Sequence, residues 1–177
     1  ILIADRRAAE FSSRCGAAVS GFFAAIVFTC NIRVCTIQDM KLLKFTDPEL
    51  TEEIKVGKVG ILPTDTIYGI HASALNPHSI ERMYQIRLRD TNKPFIVLIN
   101  NLTDLHLFGI ELTAEQNPLV ETVTKESVSI VLPINNQKFN YLTRDTHSIA
   151  FRIPKHHELK SLLTKTGPLV STSVNKQ

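Results

Sequence analysis

The stretch from Lys58 to Ile70 reads Lys-Val-Gly-Ile-Leu-Pro-Thr-Asp-Thr-Ile-Tyr-Gly-Ile. Its mostly apolar start predicts a short strand that ends at Pro63, because proline donates no hydrogen bond to a sheet. A polar turn, Thr64 to Thr66, follows, and residues 68–74 are typical of a returning strand. Ligands of open α/β sheets bind where such strands end, so the turn is a candidate site. Thr and Asp also stabilise ordinary turns by bonding the local backbone, which is the alternative interpretation.

The chain beyond this stretch alternates between helical and strand patterns. The sequence Thr46-Asp47-Pro48-Glu49 is typical of a helix start, and Gly57 is expected to end that helix. Further helices are predicted over 76–87 and 155–165, with one or two over 101–124 interrupted at Pro118. Further strands are predicted over 95–99, 127–132, 148–153 and 168–173. The alternation predicts an α/β fold, a single domain with a twisted mixed β-sheet and flanking helices.

Composition excludes several classes of protein. The 177 residues are 44% hydrophobic and 21% charged with a net charge of +3, which suits one globular domain and neither requires nor excludes nucleic acid. The chain has no Trp, which argues against a platform that stacks bases. All three Cys precede residue 40, which argues against a Cys-ligated zinc site or thiol nucleophile beyond it. The His spacing predicts no metal site either, and a cytoplasmic location is expected.

Residues 1–39 differ in composition from the residues that follow. Residues 15–32 are uncharged, which is borderline for a membrane span, and the Arg residues before them also permit a signal peptide. A third interpretation is that Met40 is the natural start and that upstream sequence has been read in frame. We favour the third, because a possible start residue and the change of composition coincide. The sequence therefore predicts an atypical leader over 1–39, a domain over 40–177, and no stable membrane association of that domain.

Two polar clusters are candidates for binding an anion. Arg87, Arg89 and Lys93 place three cations within seven positions at a predicted helix end. Ser173 and Asn175 follow an apolar strand and point the same way, because side chains alternate along a strand. Guanidinium groups keep their charge at any working pH and suit a polyphosphate. The alternatives are a solvated basic surface, favoured at a helix C-terminus by the helix dipole, and a structural turn.

Four motifs in this order resemble those of the YrdC-like (TsaC-type) threonylcarbamoyl-adenylate synthases, and the similarity spans about residues 46–175. They are the strand and turn over 58–70, the Arg87-Leu88-Arg89 segment with its trailing Lys93-Pro94, Ala150-Phe151-Arg152-Ile153-Pro154, and Ser171-Thr172-Ser173-Val174-Asn175.

The resemblance implies that the protein forms threonylcarbamoyl-AMP and pyrophosphate from L-threonine, bicarbonate and ATP. A downstream tRNA threonylcarbamoyl transferase would use the product. The resemblance places Thr64, Thr66 and Tyr68 at the threonine and carbamate. It also implies a set of residues that bind the nucleotide and its phosphates: Arg87, Arg89, Lys93, Ser129, Arg152, Ser173 and Asn175. Of these, Arg87 and Arg89 would also be catalytic. Mg²⁺ would be held mainly by phosphate oxygens and water rather than by a carboxylate cage.

Besides Val174, which stands where the family has Ala between Ser and Asn, the chain departs from the family pattern at three places. Arg87 stands where the family has Lys, a Pro-Gly-Pro segment is missing before Ser129, and the chain stops at Gln177 where relatives continue, which predicts truncation. One alternative is a non-catalytic YrdC-like module that binds tRNA or double-stranded RNA through phosphate contacts. Another is a paralogue that has kept the fold and lost the reaction.

Overall fold

The computed structural model describes residues 24–28, 40–87, 93–126 and 128–174, with only the backbone given for 24–28 and 40. Eight strands form one sheet in the order β2-β1-β3-β4-β8-β5-β7-β6. The strands are β1 (Ala24–Phe28), β2 (Met40–Lys44), β3 (Val59–Leu62), β4 (Gly69–Ser73), β5 (Ile96–Leu98), β6 (Ile130–Pro133), β7 (Ser148–Arg152) and β8 (Leu169–Ser173).

The sheet is mixed. Strands β5 and β7 are parallel, and the other neighbours are antiparallel. The last strand, β8, lies between β4 and β5, with Gly69 opposite Ser173 and Ile96 opposite Ser171. The predicted α/β fold with a mixed sheet is confirmed.

Five α-helices accompany the sheet among the described residues: α1 (Pro48–Lys55), α2 (Pro77–Arg87), α3 (Gln116–Thr124), α4 (Asn140–Thr143) and α5 (His157–Thr166). Short 3-10 helices cover Leu102–Phe108, Gln137–Phe139 and Arg144–Thr146. Helix α1 begins at a proline and is followed by Gly57 at φ +96°, a conformation that glycine adopts without steric cost. Of the helices in the described part of the chain, none has the length and apolarity needed to span a membrane.

The two faces of the sheet are covered differently. The face that we call the core face packs a large apolar cluster against α2, with members such as Ile70, Val97, Phe151 and Val170. Alternation places Gly69, His71, Ile96, Ala150, Arg152, Ser171 and Ser173 on the opposite face, which we call the turn face. A smaller apolar cluster from α1 and α5 covers part of the turn face, packing on Leu62, Leu98 and Leu169.

The structure departs from the predicted elements in two regions. The break expected at Pro118 is wrong, because Pro118 is the third residue of α3, where a helical N–H has no intrahelical partner to lose. The helix before it is a 3-10 helix that starts with a capping box at Asn101. Strand β1, which pairs with β2 and β3, falls within the predicted leader, and the domain boundary at Met40 remains a prediction.

Candidate active site

The polar turn lies across the turn face of the sheet. Arg152 Nη2 donates to Asp65 Oδ2 over 2.7 Å, although three strands separate β3 from β7. Both side chains are largely buried, at 17% and 10% exposure. Taking a carboxylate and a guanidinium out of water is costly unless the two are paired, so this contact attaches the turn to β7.

Within the turn, the Thr64 hydroxyl forms hydrogen bonds with the local backbone. Its Oγ1 donates to the Ile67 carbonyl over 2.6 Å and accepts from the N–H groups of Thr66 and Ile67, each over 3.2 Å. Thr66 Oγ1 lies 3.1 Å from Thr64 Oγ1 in an exposed position, and the Tyr68 side chain is 50% exposed. Thr64 therefore shapes the turn, while Thr66 and Tyr68 present their hydroxyl groups at the surface.

The end of α2, the end of β8 and the turn meet at one edge of the sheet. Arg87, in the last turn of α2, donates from Nη1 to the Val174 carbonyl over 3.2 Å. The Val174 N–H in turn donates to the Tyr68 carbonyl over 3.2 Å, and Ser173 lies opposite Gly69. The structure thus joins the two segments that the sequence predicts to share an anionic ligand. That they bind such a ligand remains a prediction.

The backbone of Lys93 is held against α2. The Tyr84 hydroxyl donates to the Lys93 carbonyl over 3.2 Å, and the Tyr84 ring lies 4.4 Å from that of Phe95. The Arg144 guanidinium sits 4.4 Å from the centre of the same Tyr84 ring and forms a 2.6 Å ion pair with Glu81. These contacts leave the Lys93 side chain exposed on the surface.

Ser129 belongs to the other end of the turn face. It directly precedes β6, where Ile130 lies opposite Phe151, so the continued antiparallel register brings Ser129 opposite Arg152. The predicted nucleotide residues therefore fall into two groups, with Arg87 and Ser173 at one end and Ser129 and Arg152 at the other. Arg89 and Asn175 lie outside the described residues.

Two polar residues of the turn face were given no role from the sequence, although Ser171 belongs to one of the four motifs. His71 in β4 is completely buried, and Ser171, its registered partner in β8, is partly exposed. Burial lowers the pKa of His71 from 6.5 to about 4, an effect that the nearby backbone of Leu62 and Val170 partly offsets. The one signal in the sequence was the alternation of β4, which places His71 on the same face as Gly69.

The described residues of this site fit a magnesium ion that is bound mainly by the phosphates of a nucleotide. Asp65, the carboxylate of the turn, is already paired with Arg152. Within the described ranges, no three His, Cys, Asp or Glu side chains group as metal ligands. A magnesium ion at this site would therefore depend on phosphate oxygens and water for most of its coordination.

Comparisons with known proteins identify relatives by sequence and by fold. A threonylcarbamoyl-AMP synthase of Pyrococcus abyssi is 27% identical over 123 residues, which cover 69% of this chain and 36% of that protein. A putative threonylcarbamoyl-AMP synthase of Methanocaldococcus jannaschii is 31% identical over 135 residues, which cover 76% and 61%. The crystal structure of P. abyssi Sua5 complexed with L-threonine is similar with a TM-score of 0.64 and 25% identity, covering 72% of this chain and 38% of that one.

The chain thus spans between about a third and two thirds of the length of the relatives just named. The profile of the Sua5, YciO and YrdC family, described as telomere recombination, matches residues 52–177. That range contains the turn, the end of α2 and the closing strand β8. Because this match covers more than half of the chain, the chain belongs to the Sua5/YciO/YrdC family.

Proposed function

We propose that the chain forms threonylcarbamoyl-AMP from L-threonine, bicarbonate and ATP with release of pyrophosphate. The observation that carries the proposal is the contact between Arg87 and the end of β8 beside Tyr68. It puts a permanent cation next to a turn whose hydroxyl groups suit a small polar substrate. The proteins of P. abyssi and M. jannaschii that bear the synthase name support the same reaction.

The reaction has two bond-forming steps. The threonine amine attacks bicarbonate, and water leaves to give a carbamate. A carbamate oxygen then attacks the α-phosphorus of ATP, the bond from that phosphorus to the bridging oxygen breaks, and pyrophosphate departs with its electron pair. Negative charge grows on the phosphoryl oxygens, so fixed cations stabilise this transition state more than the ground state.

The proposed roles follow from where each group lies. Arg87, with Ser173 beside it and with Arg89, Lys93 and Asn175 by resemblance, binds the triphosphate. Thr66 and Tyr68 face the amino acid and its carbamate, and Thr64 maintains the shape of the turn. Arg152 and Ser129, at the far end of the turn face, lie on the nucleoside side. Arg152 also holds Asp65 and so acts on the turn as well as on the ligand.

The cofactor and the partner are part of the proposal. ATP is a substrate, and Mg²⁺, held mainly by phosphate oxygens and water, would supply positive charge against the triphosphate beside Arg87. The threonylcarbamoyl-AMP product is a mixed anhydride and is therefore a donor for an enzyme that modifies an adenosine in tRNA. The expected partner is that transferase, in the cytoplasm.

The test is pyrophosphate release by the purified chain with one reactant omitted at a time. The proposal expects release only when ATP, L-threonine and bicarbonate are all present. Release without threonine would identify a nucleotide pyrophosphohydrolase instead. No release, combined with RNA binding that weakens steeply with salt, would favour the non-catalytic RNA-binding module.

A further inference from the structure

Arg144 has a backbone conformation that is unusual for a residue with a side chain. It follows the short helix α4 at φ +52° and ψ −133°. These angles are close to those of the first central residue of a type II′ turn, a position that favours glycine because a Cβ is strained there. Such strain persists only where surrounding contacts hold the residue in place, and it is concentrated at functional sites. The contacts of the Arg144 side chain therefore call for an explanation.

The Arg144 side chain contacts two residues of α2 that lie about one turn apart. Its guanidinium is 4.4 Å from the centre of the Tyr84 ring, and its Nη2 forms a 2.6 Å ion pair with Glu81 Oε1. Tyr84 is buried, whereas the Glu81 side chain is half-exposed. An ion pair with a half-exposed carboxylate contributes little to stability, so it does not by itself offset the backbone strain. The contact with the buried Tyr84 ring is the one to which a further role can be assigned.

The segment that carries Arg144 reaches the edge of the sheet at which the candidate site lies. Arg144 precedes β7 by four residues, and β7 is parallel to β5, so this segment is at the edge where β5 begins. Strand β8 is antiparallel to β5 and therefore ends at the same edge, where Arg87 donates to the Val174 carbonyl. Helix α2 thus contacts both Arg144 and the end of β8.

Tyr84 connects Arg144 to two cations of the proposed triphosphate site. The Tyr84 hydroxyl donates to the Lys93 carbonyl over 3.2 Å. Arg87 follows Tyr84 by three positions on α2, a spacing at which side chains are neighbours on a helix surface. A guanidinium over the face of the Tyr84 ring restricts the ring, and with it the direction of the hydroxyl group. The backbone of Lys93 is thereby fixed beside the end of α2.

We propose that Arg144 is a positioning residue, which holds the Tyr84 ring so that its hydroxyl fixes Lys93 next to Arg87 at the triphosphate. This inference rests on the proposed function. Arg144 acts through Tyr84 rather than on the ligand, because its guanidinium already contacts the ring and Glu81. The strained backbone at Arg144 follows from directing a guanidinium to this ring from the segment before β7.

The experiment measures pyrophosphate release by variants of the 177-residue chain, with ATP and L-threonine varied in turn. We expect Arg144→Gly to raise the KM for ATP about tenfold, the value of one hydrogen bond, and to leave the KM for L-threonine unchanged. Its melting temperature stays the same or rises, because glycine adopts this backbone conformation without strain. Arg144→Lys keeps the charge but not the planar group, so it should raise the KM for ATP less.

Two further substitutions separate a positioning role from a structural one. Tyr84→Phe keeps the ring beneath the guanidinium and removes the hydroxyl that holds Lys93, so it should reproduce the higher KM for ATP. The double variant with Arg144→Gly should be no worse than either single one, because both disable the same contact. His147→Gly is the matched control. His147 is exposed and has φ +51° in the same segment, so this change relieves backbone strain and should leave both KM values unchanged.

Different results overturn different conclusions. An unchanged KM for ATP in Arg144→Gly, or equal rises in both KM values with a lower melting temperature, would refute the positioning role alone. A normal KM for ATP in Tyr84→Phe would show that Arg144 does not act through the hydroxyl and Lys93, and the proposal would be wrong. A wild-type chain that releases no pyrophosphate would overturn the proposed function, and the inference would fail with it.

Discussion

Neighbouring residues of one strand send different kinds of side chain to the two faces of the sheet. On β7, Phe151 enters the core face and is completely buried, 5.1 Å from the ring of Phe108. The next residue, Arg152, enters the turn face and pairs with Asp65. The core face is closed by apolar contact, which is not directional, whereas the part of the turn face around Asp65 and Arg152 is organised by hydrogen bonds and an ion pair with fixed geometry.

This difference separates the face that tolerates substitution by similar side chains from the face that carries the candidate site. Apolar packing stabilises the fold and tolerates a range of similar side chains. The turn face instead keeps features that cost stability, namely a buried ion pair and a completely buried imidazole. Such costs are expected at functional sites, because substrate groups later satisfy or use them.

The largest effect should come from the core face. Phe151→Ala is expected to lower the free energy of unfolding by about 3–5 kcal/mol, since it removes a buried ring and leaves a cavity. Chemical denaturation measures the change. Val131→Ala is the matched control, because Val131 is 66% exposed on the turn-face side of the neighbouring strand and should cost less than about 0.5 kcal/mol. Equal losses for the two variants would mean that the faces are not covered as described.

The second effect is a pH dependence that originates on the turn face. The pKa of His71 is about 4 in the folded protein and 6.5 as its ordinary value, so the unfolded chain binds more protons below pH 6.5. Stability is therefore constant above that pH and falls by about 3 kcal/mol as the pH drops towards 4. Denaturation between pH 7 and 4.5 tests this.

His71→Leu is the control for this pH dependence and should show a flat profile in the upper part of the window. Carboxylates contribute to the loss of stability at lower pH. One of them is Glu53, whose pKa is lowered by hydrogen bonds from Lys41 and Lys58. A wild-type profile that is flat to pH 4.5 would show that the imidazole is not buried.

The third effect concerns Arg87, at the edge of the sheet where the end of α2, the end of β8 and the turn meet. Arg87→Met is expected to reduce pyrophosphate release about 100-fold, because it removes a fixed cation from a transition state that gains negative charge. The melting temperature should change little. Arg82→Met, on the same helix, is the matched control and should retain activity. Near-normal turnover of Arg87→Met would remove Arg87 from the site.

The smallest effect tests the exposed part of the turn. Thr66→Val replaces a hydroxyl by a methyl group of similar shape and is expected to raise the KM for L-threonine about fivefold, within the range of one hydrogen bond. ATP affinity, measured by calorimetry, should not change. Weakened ATP binding with an unchanged threonine KM would place Thr66 on the nucleotide side instead.

Local sequence patterns anticipated much of the fold because they depend on near neighbours in the chain. Strands β3, β4 and β8 were predicted to within two residues, since apolar alternation and proline or glycine boundaries act locally. The predicted break at Pro118 failed because a proline has different effects in the first turn and in the interior of a helix. The strand status of β1 was missed, because an uncharged run suits several structures equally well.

By itself, the sequence determined the polar turn, the cations near the end of α2 and the hydroxyl groups of β8. Only the tertiary structure decided which of these groups meet. Asp65 and Arg152 lie 87 positions apart, as do Arg87 and Val174, and both contacts depend on a strand order that places β8 between β4 and β5. That order is set by the simultaneous packing of distant segments, which composition and periodicity do not specify. The burial of His71 arises in the same way, from the elements that pack around it.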